Sequence, residues 1–94
     1  MTVIRVATYP IDSAKVDELR QSVDAELLPL YRKQLGFERL EIVDSGDNVV
    51  SISRWDSQEH AEAGSQAAIA WAKTAPGSLG PPSALHIGEI MNAG

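Results

Sequence analysis

The chain contains no cysteine, which excludes a disulfide framework, a thiolate zinc site and a cysteine nucleophile. Aromatic residues are scarce, two Trp, two Tyr and one Phe, so a core has to lean on Val, Ile, Leu and Ala. Basic residues are outnumbered, eight Lys and Arg against thirteen Asp and Glu, for a net charge of −5. The basic residues are scattered singly, so phosphate backbones and anionic lipid surfaces are repelled, and neither nucleic acid nor membrane is an expected partner. No stretch approaches the ~20 apolar residues of a membrane-spanning helix. The opening Met1-Thr2-Val3-Ile4-Arg5 lacks the basic flank and apolar run of a signal peptide, and a cytoplasmic location is expected. The two histidines do not recur with carboxylates at ligand spacing, so no metal is expected. A glycine-rich phosphate loop, a nucleophile elbow and a dinucleotide fingerprint are all missing, and no cofactor is expected either.

What is present is ordinary globular composition, 44% hydrophobic and 22% charged over 94 residues. This suits a single domain over residues 1–94. Residues 2–9 are β-branched and stop at Pro10, which predicts a strand. Asp12 and Ser13 can cap a helix in which Val16, Leu19, Val23, Leu27 and Leu30 form one apolar stripe. Pro29 predicts a kink near Leu28 or a short second segment reaching Gln34. Gly36 ends that helix, and strands follow over 37–43 and 49–55, joined by Ser45-Gly46-Asp47-Asn48 as a hairpin. Asp56 or Ser57 caps a second helix running to about Lys73, with Glu59 near capping-box spacing from Asp56. A Pro/Gly loop from Thr74 to Pro82 leads to a last strand over 83–91.

The order βαββαβ predicts an α+β, ferredoxin-like fold with a four-stranded antiparallel sheet. Each strand has an aliphatic pair in phase, Ile4 and Val6, Leu40 and Ile42, Val50 and Ile52, Leu85 and Ile87, and these faces are expected to receive the helices. The opposite faces mix Val3, Ala7, Tyr9, Phe37, Val43, Val49, Trp55 and Ile90 with Arg5, Arg39, Glu41, Ser51, Ser53 and His86. Such a mixed face suggests an association surface, and a homodimer would bury area that so short a chain cannot bury alone.

The stretch Val49-Val50-Ser51-Ile52-Ser53-Arg54-Trp55-Asp56-Ser57-Gln58-Glu59, preceded by Leu35-Gly36-Phe37-Glu38 and closed by Gly88-Glu89-Ile90, resembles the antibiotic biosynthesis monooxygenase-like family. The resemblance implies a dimeric α/β barrel, two four-stranded sheets facing each other with the helices outside. It also implies a cofactor-independent monooxygenase-like enzyme acting on a small aromatic or enolisable molecule. The alternative is a non-catalytic dimeric module that binds a small ligand or stabilises a partner. In the family the tryptophan matching Trp55 often lines a pocket between sheet and helices. The aromatic-polyketide oxygenases place an amide or phenol near it, where this chain has Ser51 and Ala61. The haem degraders use an asparagine on the first strand and a histidine on the second helix, where this chain has Arg5, Ala7, Tyr9 and only His60.

Trp55, Arg54, Ser51, Tyr31, Trp71 and Ala68 are the candidate ligand-binding residues; no catalytic residue is assigned. Strict alternation gives Trp55 the phase of Ser51 and Ser53, so it should reach the helix side only through a bulge, which would displace Arg54. Ala61, Gly64 and Ala68 fall on successive turns of the second helix, where missing bulk means either close packing or a cavity. Tyr31, Trp71 and Leu27 can wall such a cavity, and the loop between Thr74 and Pro82 can cover it. His60 reads as a solvated residue of the first helical turn, and His86 as a hydrogen-bonding residue of the dimer-side face.

Overall fold

The structure, a computed structural model, describes residues 2–76 and 79–94; Met1, Gly77 and Ser78 lie outside the described residues. Strand β1 (Val3–Pro10) leads through a 3-10 turn (Ser13–Lys15) to α1 (Val16–Ser22), a π-helical turn (Val23–Leu27) and α2 (Leu28–Arg32). Strands β2 (Phe37–Asp44) and β3 (Asn48–Trp55), helix α3 (Gln58–Ala72) and β4 (Ala84–Glu89) complete the chain. One antiparallel sheet of order β2-β3-β1-β4 results, with all helices against one face. This is the ferredoxin-like α+β arrangement. Among the described residues no helix is long and apolar enough to cross a membrane.

Pro29 acts one turn earlier than a simple kink would. It brings no N–H to the ladder, and its ring would crowd the carbonyl four residues back. The preceding turn widens instead, and the Leu28 N–H reaches the Val23 carbonyl, a five-residue step. Leu19, Val23, Leu27 and Tyr31 are all buried along this broken helix.

The strand faces differ from expectation in two of the four strands. Leu40 and Ile42 on β2, and Ile87 on β4, do pack toward the helices. On β1 and β3 the phase is reversed: Val3, Arg5, Ala7, Tyr9, Val49, Ser51, Ser53 and Trp55 are buried under the helices. Ile4, Val6, Val50 and Ile52 lie half-buried on the open side, beside Arg39, Glu41, Val43 and His86. The hairpin register explains the reversal. Asp44 pairs with Val49 and Leu40 with Ser53, so even positions of β2 share a face with odd positions of β3. The one irregularity in this ladder is in β2, between Phe37 and Arg39. Trp55 therefore faces the helices by plain alternation, without any bulge in β3.

Helix α3 is capped by Ser57, whose hydroxyl accepts from the His60 N–H at 3.2 Å. Glu59 thus lacks the capping-box position, and the Asp56 carboxylate turns to the His60 ring, 2.6 Å away. Gly36 adopts φ +78°, and a Cβ there would collide with the Asp56 and His60 side chains. The chain before β2 needs glycine for both reasons.

Candidate functional site

Beneath the helices, β1 carries Arg5 at the middle of the sheet with no exposed surface. Its Nε donates to Ser65 Oγ on α3 at 2.8 Å. Its two terminal nitrogens donate to the Tyr9 hydroxyl at 3.2 Å and to the Tyr31 hydroxyl on α2 at 3.5 Å. Strand β1 and helices α2 and α3 are thereby tied through one side chain. The sequence pattern places Arg5 on the opposite face with Arg39, Glu41 and His86, because an arginine between Ile4 and Val6 signals a solvated face; the structure reverses this. The aliphatic neighbours are the ones that lie outside the helix-covered core.

Trp55 is fully buried, and its indole N–H donates to Ser53 Oγ at 2.9 Å. Its ring meets Tyr31 and Phe37 at centroid distances of 5.2 and 5.4 Å, both edge-on. Opposite, Gly64 gives the ring its place: a Cβ there would overlap three ring carbons, Cη2, Cζ2 and Cζ3, the last at 2.8 Å. Close packing, not a cavity, is the purpose of small residues at this end of α3.

Open space begins toward the other end. A cleft of about 240 Å³ lies between α1, the π-helical turn and strands β2 and β3, walled by Val16, Leu19, Val23, Leu28, Leu40 and Ile42. Arg20, Asp24 and Asp44 also line it. Behind Leu19, Val23, Ile42 and Val49 sits an inner cavity of about 20 Å³, which Arg5, Tyr9, Ser51, Ala68, Trp71 and Leu79 enclose. That is room for about one water molecule. Leu79, after α3, is buried and lines this cavity; Gly77 and Ser78 of the Thr74 to Pro82 loop lie outside the described residues. Trp71 is fixed by its N–H donating to Glu26 Oε1 of the π-helical turn at 3.0 Å.

Of the six residues singled out from sequence, Ser51, Ala68 and Trp71 meet at the inner cavity. Tyr31 reaches it through Arg5, and Trp55 stands behind Tyr31 without lining either space. Arg54 does not join them: it is exposed and pairs across the sheet with Ile4 and Arg39 on the open face. Burial raises the Tyr31 phenol above its ordinary pKa, against smaller lowering contributions from Arg5 and Ser53. Tyr31 therefore stays protonated near neutrality and serves as a hydroxyl donor or acceptor, not as a base. Among the described residues no group of three His, Cys, Asp or Glu is placed to hold a metal ion.

No protein-family model matches the sequence, and no curated protein matches it. Solved structures do match in fold. A monooxygenase from the gene ActVA-Orf6 of Streptomyces coelicolor, solved with nanaomycin D, superposes with a TM-score of 0.75 at 22% identity, over 97% of this chain and 88% of that one. SnoaB, a cofactor-independent oxygenase from Streptomyces nogalater, gives 0.70 at 15% identity, over 98% and 95%. A candidate antibiotic biosynthesis monooxygenase from Bordetella bronchiseptica gives 0.76 at 14% identity, over 97% and 98%. The chain carries the fold of the antibiotic biosynthesis monooxygenase-like proteins.

Proposed function

We propose that the protein is a small-molecule oxygenase of the cofactor-independent kind, using the cleft between sheet and helices. The observation that carries this reading is the buried Arg5 behind a small cleft of mixed lining, in which Val16, Leu19, Val23, Leu28, Leu40 and Ile42 stand beside Arg20, Asp24 and Asp44. At about 240 Å³ the cleft is smaller than the ~300–1,000 Å³ usual for ligand pockets, so only a compact aromatic or enolisable molecule fits it. Such a molecule loses a proton to give a carbanion or enolate, and a fixed cation in a water-poor interior lowers the energy of that charge. The electron-rich carbon then passes electrons to dioxygen and forms a C–O bond. The peroxide takes up a proton, its O–O bond breaks with loss of water, and a methylene becomes a carbonyl. One oxygen atom enters the product and the other leaves as water.

Ser51, Trp71 and Ala68 contact the substrate in this scheme, while Tyr31 and Trp55 brace Arg5 from behind. The open aliphatic face of Ile4, Val6, Val50 and Ile52 packs on a second copy, closing a barrel. Oxygen uptake on adding anthrones and simple phenols, with the quinone followed by chromatography, tests the activity. Uptake that Arg5→Met removes supports the proposal. Tight binding of these compounds with no uptake replaces it with a ligand-binding module.

A further inference from the structure

Arg5 is buried completely, and the fold gives its charge no counter-charge. A guanidinium is a permanent cation with five N–H donors and no acceptor. Among the described residues no carboxylate pairs with it, and Met1, Gly77 and Ser78 bring no acidic side chain. Its bonded partners are the hydroxyls of Ser65, Tyr9 and Tyr31, the last at 3.5 Å, the outer limit of a hydrogen bond. Burial keeps the Tyr31 phenol protonated, so this hydroxyl does not supply the missing charge. Three bonds leave two N–H groups over. Burying a charge costs free energy unless it is both paired and hydrogen-bonded, and here only the second condition is met, in part.

The inner cavity of about 20 Å³ borders this side chain. Its polar wall is Arg5, Tyr9 and Ser51, and the rest is apolar apart from Trp71, whose N–H is already engaged by Glu26. No acidic side chain lines it. The Tyr9 hydroxyl accepts from Arg5, leaving its own hydrogen to donate, and Ser51 brings a second hydroxyl. A water molecule in this space would satisfy a donor and leave the charge, whereas an anion answers both. Room for about one water molecule admits a single atom and shuts out sulfate, phosphate and carboxylates.

We infer that the inner cavity is a halide site, in which one chloride ion rests against the Arg5 guanidinium and accepts from the Tyr9 and Ser51 hydroxyls. The ion takes space that the fold already leaves, with every wall side chain where it stands. Chloride sheds its hydration shell more readily than fluoride or a carboxylate, so a dry pocket with a few donors suits it. Bound there, it neutralises the charge buried on β1 and ties that strand to Ser51 of β3. The site stands apart from the oxygenase reading: it belongs to the protein without substrate, and its measurements read folding and ion binding, not turnover.

The test unfolds the full-length protein with urea at neutral pH in sodium gluconate, with chloride replacing gluconate at constant ionic strength. An ion that binds only the folded chain stabilises it by RT ln(1 + [L]/Kd), so above half-saturation each tenfold rise in chloride should raise the folded-to-unfolded ratio about tenfold. Bromide should act alike. Sulfate, too large for the cavity, should fall behind chloride, the reverse of the order in which salts stabilise by exclusion from protein surfaces. Arg5→Met should lose the dependence and stay folded, since an apolar side chain removes the buried charge together with its need for a partner. Should that variant fail to fold, two measurements on the unaltered protein decide. The chlorine-35 resonance should show excess line width that bromide displaces, and crystals grown in bromide should show one anomalous peak between Arg5, Tyr9 and Ser51. Equal stability in chloride and gluconate up to about 0.15 M, sulfate acting as well as chloride, an unchanged dependence in Arg5→Met, or a cavity that holds only water in bromide overturns the inference. Arg5 is then a cross-link between β1, α2 and α3 and nothing more.

Discussion

Replacing Gly64 with alanine should destabilise the protein even though it improves the helix. In a solvent-facing helix, Gly→Ala gains about 1 kcal/mol. Here the added methyl would overlap Cη2, Cζ2 and Cζ3 of Trp55. The ring has no easy retreat, since Tyr31 and Phe37 sit against it at 5.2 and 5.4 Å and Ser53 holds its N–H. Overpacking of this kind costs about 1–3 kcal/mol or more, so the net loss should be up to about 2 kcal/mol after the helix gain. At about 4–8 °C per kcal/mol for a domain of this size, the melting temperature should fall by as much as about 8–16 °C. Urea unfolding followed by far-UV circular dichroism gives the free energy directly. A double-mutant cycle with Trp55→Phe then separates clash from propensity. The smaller ring makes room for the methyl, so the pair should be less destabilised than the sum of the singles by about 0.5–3 kcal/mol. A gain in stability for Gly64→Ala alone, or strict additivity in the cycle, would refute the claim that glycine is there for the indole.

Ala68→Leu should cost about 1–3 kcal/mol and lower oxygen uptake with anthrone, because the inner cavity of about 20 Å³ cannot take the larger side chain; unchanged stability on urea unfolding would mean the space is larger. Asp56 is held below its ordinary carboxyl value of 3.8, chiefly by the hydrogen bond with His60. A depressed folded pKa stabilises the fold above the unfolded value and ceases to do so as pH falls through the folded one. The melting gap between the unaltered protein and Asp56→Asn should therefore be present at neutral pH and close in acid, and a gap independent of pH counts against the pairing. Light scattering at micromolar concentration should return twice the chain mass, falling to the chain mass for Ile52→Lys on the open face. A monomeric unaltered protein would remove the barrel.

The element order was legible because each element is marked locally. Pro10, Gly36 and the Ser45–Asn48 turn bound the strands, and the stripe from Val16 to Leu30 marks the first helix. The side of the sheet was harder to read, since β1 and β3 carry apolar residues on both faces. The more aliphatic face of β1 and β3 is the open one, and Arg5, Ser51, Ser53 and Trp55 lie under the helices. A signal for the correct choice was available in the hairpin. A four-residue turn between Asp44 and Val49 sets Leu40 opposite Ser53, so Leu40 and Val50 cannot both look at the helices. Of the residues lining the inner cavity, the sequence singles out Ser51, Ala68 and Trp71, which lie among residues of ordinary core type. Arg5, Tyr9 and Ser65 come together from β1 and α3, 60 positions apart between Arg5 and Ser65, and no local pattern announces that.

The widened turn at Val23–Leu27 also fixes the reading frame of the first helix. In a regular α-helix each four-residue step overshoots a full turn by about 40°, so three steps would carry Tyr31 about 120° round the axis from Leu19. Taking one extra residue into the turn unwinds about 100° of that drift, and Leu19, Val23, Leu27 and Tyr31 come back to a common line. Deleting one residue from Val23–Leu27 would straighten the helix, keep Leu19 and Tyr31 in phase, and move Pro29 into a regular turn that cannot accept it. Inserting one residue would swing Tyr31 away from Arg5 and put Leu30 in its place. The first helix can thus change length here in only one direction without surrendering the tyrosine, which makes this turn the point where insertions and deletions decide whether the buried arginine keeps its partners.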